Sequence, residues 1–185
     1  MPLYTSEYLK SLARRRTLNE SRIKLFSANE NEEFDIFLSH SFLDKEEVIG
    51  LYFELTDLGY KVYVDWIIDK HLDRSKVTKL TAELIRKRLK RSKSLLLAVS
   101  TNAALSKWMP WELGYVDGNT GRCAIIPVAQ SPSNTFNRAE YLLLYPYIDK
   151  TNLNSVNDKL WVNRDSQTYN LFDQWFHGEE PYYRG

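Results

Sequence analysis

The sequence predicts an α/β protein with a flavodoxin-like fold, in which about five parallel strands, numbered along the chain, lie in the order 2-1-3-4-5 with helices on both faces of the sheet. Short apolar runs alternate with helical segments, which is the pattern of successive β-α-β units. The run from Leu95 to Val99 is apolar at every position, as expected of a central strand that is buried on both faces.

The first 33 residues are predicted to form an N-terminal arm that precedes a single domain at residues 34–185. Tyr8, Leu9 and Leu12 indicate one short helix in this arm. Residues 29–33 form a polar, acidic linker without an apolar anchor, which places the domain boundary there. Three apolar residues before the linker are expected to dock on the domain: Ile23, Leu25 and Phe26.

The first β-α-β unit of the domain is predicted between residues 34 and 64. Residues 34–39 form a short apolar strand, and residues 61–64 form the second strand. The helix between them is predicted from Asp44 to Leu58, and Gly59 stands where glycine commonly ends a helix. The buried face of this helix is predicted from residues at helical spacing: Val48, Leu51, Tyr52 and Leu55.

A strongly basic segment follows the loop at residues 65–75. Ten basic and two acidic residues lie between Lys70 and Lys93, whereas seven acidic residues and one basic residue lie between Asn29 and Glu47. The bases are expected on the solvated side of an amphipathic helix at residues 76–93, rather than on a surface that binds nucleic acid. The inward side of this helix is predicted to comprise Val77, Leu80, Leu84 and Leu89.

The second half of the chain continues the alternation of strands and helices. After the central strand, a helix is predicted at residues 108–117, with Pro110 near its start, where a missing N–H does no harm. A fourth strand is predicted at residues 123–128 and a short fifth strand within residues 141–148. A terminal helix is predicted at residues 165–177, with four side chains pointing inward: Leu171, Phe172, Trp175 and Phe176.

Composition limits the class of protein. The 185 residues include 25 basic and 24 acidic ones, and the net charge of +1 argues against a protein that grips nucleic acid through a uniformly basic surface. The single cysteine excludes an internal disulfide framework and fits a reducing compartment. No apolar run approaches the roughly 20 residues needed to span a bilayer, and the N-terminus has no signal-peptide core. A soluble cytoplasmic protein without membrane contact is therefore expected.

The predicted fold places a ligand site before any motif is considered. In doubly wound sheets, ligands bind beyond the carboxyl ends of the strands, at the switch point between strands 1 and 3. This criterion selects the loop after strand 1, the rim after strand 2 and residues 100–112 after strand 3. The candidates in the first two places are Ser39, His40, Ser41, Phe42, Asp44, Asp65 and Trp66.

Spacing disfavours several familiar sites. The seven glycines form neither a G-x-G-x-x-G fingerprint nor a P-loop. The three histidines and Cys123 lack the spacing of metal ligands, so no metal site is expected, and Cys123 opens an apolar strand as a buried, inert thiol. Ser39, His40 and Asp44 lie in one loop without a nucleophile elbow, so helix capping by the serine and aspartate is a simpler interpretation than a hydrolase triad.

The remaining candidate is the segment from Trp108 to Glu112. These two residues are four apart and share one helical face. A carboxylate beside indole rings is partly desolvated, which strengthens its electrostatic hold on a cation. The same residues also fit a structural interpretation, in which Trp108 and Trp111 are core anchors and Glu112 is a first-turn acid favoured by the helix dipole. Spacing alone leaves both interpretations open.

Three segments together resemble a bacterial Toll/interleukin-1 receptor (TIR) domain. They are residues 34–41 (FDIFLSHS), residues 62–65 (VYVD) and the Trp-x-x-x-Glu-Leu-Gly motif at residues 108–114, in its correct place after strand 3. The resemblance runs from about residue 34 to residue 128, with a plausible continuation to His177, and it implies the flavodoxin-like fold.

The resemblance also implies roles for individual residues. Glu112 corresponds to the catalytic glutamate of the family, and Trp108 corresponds to its paired tryptophan. The loop at residues 39–44 is implied to line a nucleotide pocket, with Phe42 as a stacking ring. The loop from Asp65 is implied to border the pocket and to mediate assembly, although residues 65–77 lack the glycine that family members often have there.

Two functions follow from the resemblance. Many bacterial TIR domains cleave the nicotinamide–ribose bond of NAD, which is their substrate rather than a cofactor, and stand-alone ones often make a signal for a separate effector in antiphage (Thoeris-type) defence. A single carboxylate suits this chemistry, since nicotinamide is a cationic leaving group and the oxocarbenium-like ribose needs stabilisation; Trp108 and Trp111 would exclude water. Other TIR domains are non-enzymatic adaptors that signal by self-association. This alternative stays open, as does nucleotide sensing without cleavage.

Overall fold

The computed structural model describes residues 4–19, 31–69, 72, 77–132, 139–150 and 159–185. Within these residues the chain forms one mixed sheet of nine strands. The strands are β1 Tyr4–Thr5, β2 Phe34–Ser39, β3 Val62–Tyr63, β4 Ser92–Val99, β5 Cys123–Ala129, β6 Tyr147–Lys150, β7 Leu160–Asn163, β8 Thr168–Leu171 and β9 Tyr182–Tyr183.

Six α-helices accompany the sheet in the described part of the chain. They are α1 Ser6–Asn19, α2 Lys45–Asp57, α3 Asp65–Ile68, α4 Lys79–Lys90, α5 Met109–Asp117 and α6 Phe172–Phe176. Short 3-10 helices occur at Phe42–Asp44, Ala103–Leu105 and Glu140–Leu144. Gly59 follows α2 with a φ of 95°, the left-handed conformation that favours glycine after a helix. None of the described helices combines the length and the apolar character needed to cross a membrane.

The five central strands have the predicted arrangement. They lie in the order β3-β2-β4-β5-β6 and are all parallel, which is the predicted order 2-1-3-4-5. Ile36, Leu96 and Ile125, on three adjacent strands, are fully buried, as expected for strands covered on both faces. The predicted α/β, flavodoxin-like fold class is therefore confirmed.

The C-terminal region differs from the prediction. The helix predicted at residues 165–177 is wrong over its first half, because β7, β8 and β9 extend the sheet as antiparallel strands. Asp165 reverses the chain before β8, since its Oδ1 accepts hydrogen bonds from the N–H groups of Gln167 and Thr168, both at 2.8 Å. Only residues 172–176 are helical, and Phe172 and Trp175 point into the core as predicted.

The inward face of α4 also differs from the prediction. Val77 and Leu80 are 67% and 77% exposed, so their predicted burial is wrong. Leu89 is buried and Leu84 is half-buried, and the rest of the inward face consists of Thr81, Ile85 and Arg88. Arg88 is buried because Asp69 receives its guanidinium in a bidentate pair, Nε to Oδ2 at 2.8 Å and Nη2 to Oδ1 at 2.7 Å.

The segment before residue 20 packs against the sheet and α2. β1 pairs in parallel with the end of β5, Tyr4 opposite Val128. α1, which contains the predicted helix around Leu9, packs along α2, and Leu9 is fully buried beside Gly50. Ion pairs join the two helices: Lys10–Glu47, Arg14–Glu46 and, at the last residue of α2, Arg16–Asp57. The predicted docking residues Ile23, Leu25 and Phe26 lie outside the described residues.

Candidate active site

A cavity of about 310 Å³ opens at the carboxyl ends of β2, β3 and β4. It is walled by residues 40–43 after β2, by residues 65, 66 and 72 after β3, and by residues 105–108 after β4. The cavity thus lies at the switch point of the sheet, where doubly wound proteins bind ligands. Six of the ten residues singled out in the sequence contribute to its wall: His40, Ser41, Phe42, Asp65, Trp66 and Trp108.

Glu112 lies behind this wall rather than in it. Its side chain is fully buried in the first turn of α5, and its N–H bonds to the carbonyl of Trp108 at 2.8 Å, so the two residues occupy successive turns of one helix face. Ser39, also fully buried at the end of β2, donates a hydrogen bond from Oγ to Glu112 Oε2 at 2.6 Å. The serine and the carboxylate are 73 residues apart in sequence and are brought together by the parallel β2–β4 pairing and the turn into α5.

Three aromatic rings pack in a row along the start of α5, beginning with Trp108 in the cavity wall. Trp108 is 7% exposed and packs edge-on against Trp111, with ring centroids 5.6 Å apart. The ring of Trp111 packs in turn on the ring of Tyr115, with centroids 5.9 Å apart. Trp111 is half-buried and is not part of the cavity wall. An apolar enclosure of this kind lowers the local dielectric and strengthens the field of a carboxylate.

His40, Asp65 and Trp66 form a hydrogen-bonded cluster on the other side of the cavity. His40 Nδ1 lies 2.8 Å from the carbonyl of Leu38, which only accepts, so this nitrogen carries a proton. His40 Nε2 accepts a hydrogen bond from the indole Nε1 of Trp66 at 3.0 Å. Asp65 Oδ1 accepts from the Trp66 backbone N–H at 2.8 Å and lies 3.3 Å from His40 Nε2. These contacts hold the Trp66 ring in place against the cavity.

Asp44 connects two loops. It is 4% exposed, and its Oδ2 accepts from Ser100 Oγ at 2.5 Å while its Oδ1 accepts from Asn102 Nδ2 at 2.6 Å. Both partners follow β4, whereas Asp44 follows β2, so the carboxylate joins the two sides of the switch point. Ser41 has a capping role, because its Oγ accepts from the N–H of Leu43 at 3.4 Å.

The mouth of the cavity is largely apolar with a basic residue at its edge. Phe42, Leu43 and Leu105 are 59%, 62% and 68% exposed. Lys107 is exposed and contributes to the wall, and Lys45 Nζ lies 4.1 Å from the centroid of the Phe42 ring. The sequence argument did not single out Leu43, Leu72, Leu105 or Lys107 as binding residues, although Leu43 lies in the loop it selected at residues 39–44 and Leu105 and Lys107 lie in the segment it selected after the central strand.

Cys123 is buried and lies outside the cavity wall. Burial raises the pKa of the Cys123 thiol to about 12, so the reactive thiolate is scarce. Among the described residues, no group of three or more His, Cys, Asp or Glu side chains is arranged to hold a metal ion.

These features define a class of α/β protein in which one enclosed glutamate stands behind an aromatic cavity at the switch point of a parallel sheet. The TIR domain family model matches residues 36–160, and the chain belongs to this family.

Two curated relatives and one solved structure are similar to the chain. "Probable 3' cyclic ADP-D-ribose synthase ThsB'" from Bacillus cereus (strain MSX-D12) is 49% identical over 149 residues, which are 80% of this chain and 77% of the relative. "Putative cyclic ADP-D-ribose synthase TIR2" from Cytobacillus dafuensis is 28% identical over 95 residues, 51% of this chain and 25% of the relative. The TIR domain of the Toll-related receptor TRR-2 from Hydra magnipapillata is 20% identical with a TM-score of 0.43, and the match covers 60% of this chain and 78% of that domain.

Proposed function

We propose that this chain cleaves the nicotinamide–ribose bond of NAD and closes the remaining ADP-ribose into a cyclic product. The observation that carries the proposal is Glu112, a fully buried carboxylate one helical turn from a tryptophan of the cavity wall, in a TIR domain. The cyclic product is supported by the 49% identity to the Bacillus cereus relative, whose name specifies a 3' cyclic ADP-D-ribose synthase.

The proposed reaction requires one well-placed negative charge. The nicotinamide ring of NAD is cationic, so when the C1'–N bond breaks the electron pair leaves with neutral nicotinamide and no proton has to be supplied. The ribose acquires oxocarbenium-like character, which the carboxylate of Glu112 stabilises. A hydroxyl of the second ribose then attacks C1' and loses its proton, for which Glu112 serves as the acceptor.

The volume of the cavity supports a division of the substrate between the cavity and its mouth. A volume of about 310 Å³ is at the small end of ligand pockets, so nicotinamide and its ribose occupy the cavity and the adenosine half lies at the mouth. Trp66 and Trp108 keep water from the reacting carbon, which favours attack by a hydroxyl over hydrolysis. We expect Lys107 to contact the phosphates and the Phe42 ring to stack on adenine, which is supported by their exposure at the cavity mouth.

In the cell, we expect the cyclic product to act as a signal in antiviral defence, received by a separate effector protein. We expect the reaction to take place in the cytoplasm, where NAD is available. Self-association through TIR–TIR contacts is part of the proposal, and the exposed apolar residues at the cavity mouth support it.

Release of nicotinamide from NAD tests the reaction directly. Wild-type protein, at concentrations where it self-associates, is expected to release nicotinamide, and Glu112→Gln is expected to lower the rate at least about a hundredfold while the fold is retained. Glu83→Gln is a matched control, because Glu83 is an exposed acid on α4 that pairs weakly with Lys79 at 3.9 Å. Equal rates for wild type and Glu112→Gln would refute the proposal. A cyclic product is lighter than ADP-ribose by one water. If ADP-ribose is the only product besides nicotinamide, the cyclisation step is refuted.

A further inference from the structure

We propose that Ser39 is a positioning residue, whose hydroxyl orients the Glu112 carboxylate toward the reacting ribose and keeps it ionised. The inference rests on the proposed NAD-cleaving function. Its direct basis is the 2.6 Å contact from Ser39 Oγ to Glu112 Oε2, between two side chains that are both fully buried.

The contact is placed where it controls the carboxylate. Glu112 projects from the first turn of α5, and its side chain has several rotatable bonds that the helix alone does not fix. Ser39 is the last residue of β2, a strand held by β3 on one side and β4 on the other. A hydrogen bond from this rigid position holds Oε2 and thereby fixes the orientation of the whole carboxylate.

The chemistry of the contact favours the reactive form of the acid. A hydroxyl that donates to a carboxylate stabilises its charged state, and hydrogen bonds to charged groups are stronger than neutral ones. Burial by itself disfavours the charged form, so the hydrogen bond from Ser39 is what offsets the loss of hydration at the carboxylate. A charged carboxylate is the form that stabilises a developing cation.

Another buried serine shows what a purely structural hydroxyl does in the same sheet. Ser94 on β4 is 1% exposed, and its Oγ donates to the backbone carbonyl of Asp35 at 2.9 Å. This contact ties β4 to β2 near the amino-terminal end of β2, away from the cavity. Ser94→Ala therefore reproduces the loss of a buried strand hydroxyl without affecting Glu112, and it serves as the matched control.

The test compares Ser39→Ala, Ser39→Val and Ser39→Thr with wild type and with Ser94→Ala. Valine and threonine have the same shape, so the difference between them isolates the hydroxyl. We expect Ser39→Ala and Ser39→Val to lower kcat for nicotinamide release about ten- to a hundredfold, with KM within about twofold, and Ser39→Thr to restore much of the rate. The acidic limb of the pH–rate profile is expected to move to higher pH in the alanine and valine variants. Wild-type kcat in these variants, or equal rates for Ser39→Val and Ser39→Thr, would overturn the inference.

A measurement without turnover separates this inference from the proposed function. The Glu112 side-chain carbon can be followed by NMR in glutamate-labelled protein and assigned by its disappearance in Glu112→Gln. If wild type releases no nicotinamide, the proposed function fails, and the titration alone decides whether Ser39 controls the carboxylate. A midpoint that is higher in Ser39→Val than in Ser39→Thr supports the control. Identical midpoints contradict it, whether or not the wild type is active.

Discussion

Buried carboxylates in this protein differ in how their charge is compensated. Removing an acid from water is costly unless hydrogen bonds or ion pairs replace its hydration. Asp44 has a partner on each oxygen, Ser100 and Asn102, and Glu112 accepts the hydroxyl of Ser39. Asp44 therefore serves the geometry of the loops, whereas Glu112 is enclosed next to a cavity where its charge has a use.

Asp149 on β6 is a buried acid with weak compensation. It is 2% exposed, and its Oδ1 has no hydrogen-bond partner among the described residues. Burial raises the pKa of Asp149 above 3.8, and a hydrogen bond involving Asn163 offsets part of this effect. Because the folded chain binds this proton more tightly than the unfolded chain, stability falls as the pH rises from the ordinary pKa through the raised one.

We therefore expect Asp149→Asn to raise the free energy of unfolding at neutral pH, since the amide removes the buried charge. The gain is expected to vanish below about pH 3, where aspartate is protonated in both states. Urea unfolding at a series of pH values measures the difference. Asp165→Asn is the control, because hydrogen bonds from Gln167 and Thr168 lower the pKa of that exposed acid and no gain is expected. A neutral-pH loss of stability in Asp149→Asn would show that the ionised carboxylate is well accommodated.

At the level of elements, local patterns predicted the strands and helices whose own residues decide their structure. Four strands of the central sheet follow from short apolar runs, and the end of α2 follows from Gly59. The fifth strand was predicted within residues 141–148, but residues 140–144 form a 3-10 helix and β6 spans Tyr147–Lys150. The terminal helix was predicted from the helical spacing of Leu171 and Trp175, and that prediction is wrong because residues 168–171 pair with β7, a partner earlier in the chain. The turn at Asp165 is local, since its carboxylate accepts from the N–H groups two and three residues further on. The inward face of α4 was also mispredicted in part, because the burial of Arg88 depends on its pairing with Asp69.

In the candidate site too, features set by local patterns were predictable from the sequence, whereas contacts between distant segments were not. The switch-point rule and the spacing of Trp108 and Glu112 located the region without any contact being known. Two hydrogen bonds join distant segments of the chain, one between Ser39 and Glu112 and one between Ser100 and Asp44. The position of Glu112 behind the cavity wall also depends on distant segments. Such contacts have no local signature, because the side chains meet only after the sheet has assembled.

The contact between α1 and α2 depends on one glycine. A Cβ atom at Gly50 would lie 2.3 Å from the carbonyl oxygen of Leu9, so Gly50→Ala has to displace α1. We expect this substitution to lower the free energy of unfolding by about 1–3 kcal/mol, as overpacking does, and to speed amide exchange in α1. Gly114→Ala in α5 is the control, since its Cβ would meet nothing within 4 Å and helix propensity favours alanine by up to about 1 kcal/mol.

Hydrogen exchange followed by mass spectrometry, together with urea unfolding, measures both effects. Unchanged protection of α1 in Gly50→Ala would mean that the packing of α1 on α2 tolerates a shift of the helix. A global loss in Gly114→Ala would show that the two substitutions cannot be compared.

Across the whole molecule, the acidic and basic segments of the sequence meet within one chain. Lys93 of the basic segment pairs with Asp35 of the acidic segment at 2.9 Å, and Lys61, which lies between the two segments, pairs with Glu32 at 2.7 Å. Arg88, from the basic segment, pairs with Asp69. Part of the contrast between the acidic and basic segments is therefore compensated within the chain and does not remain for contacts between subunits. Apolar residues, in contrast, remain exposed to water at the cavity mouth and at the start of α4, where burial against another subunit would be favourable.

We therefore expect apolar contact rather than charge to drive self-association. Raising NaCl from 50 to 500 mM is expected to change the dissociation constant less than about threefold, because screening acts mainly on exposed charges. Leu43→Ser and Leu80→Ser are each expected to raise it about tenfold, since a leucine is no longer buried on association. Leu144→Ser is the matched control, because Leu144 is 74% exposed and lies just before β6, two strands along the sheet from β4 and outside the cavity wall. Sedimentation velocity measures the dissociation constant of the wild type at both salt concentrations and that of the three variants. A steep loss of association with salt, and no response to the two leucine substitutions, would instead assign the interface to the charged segments.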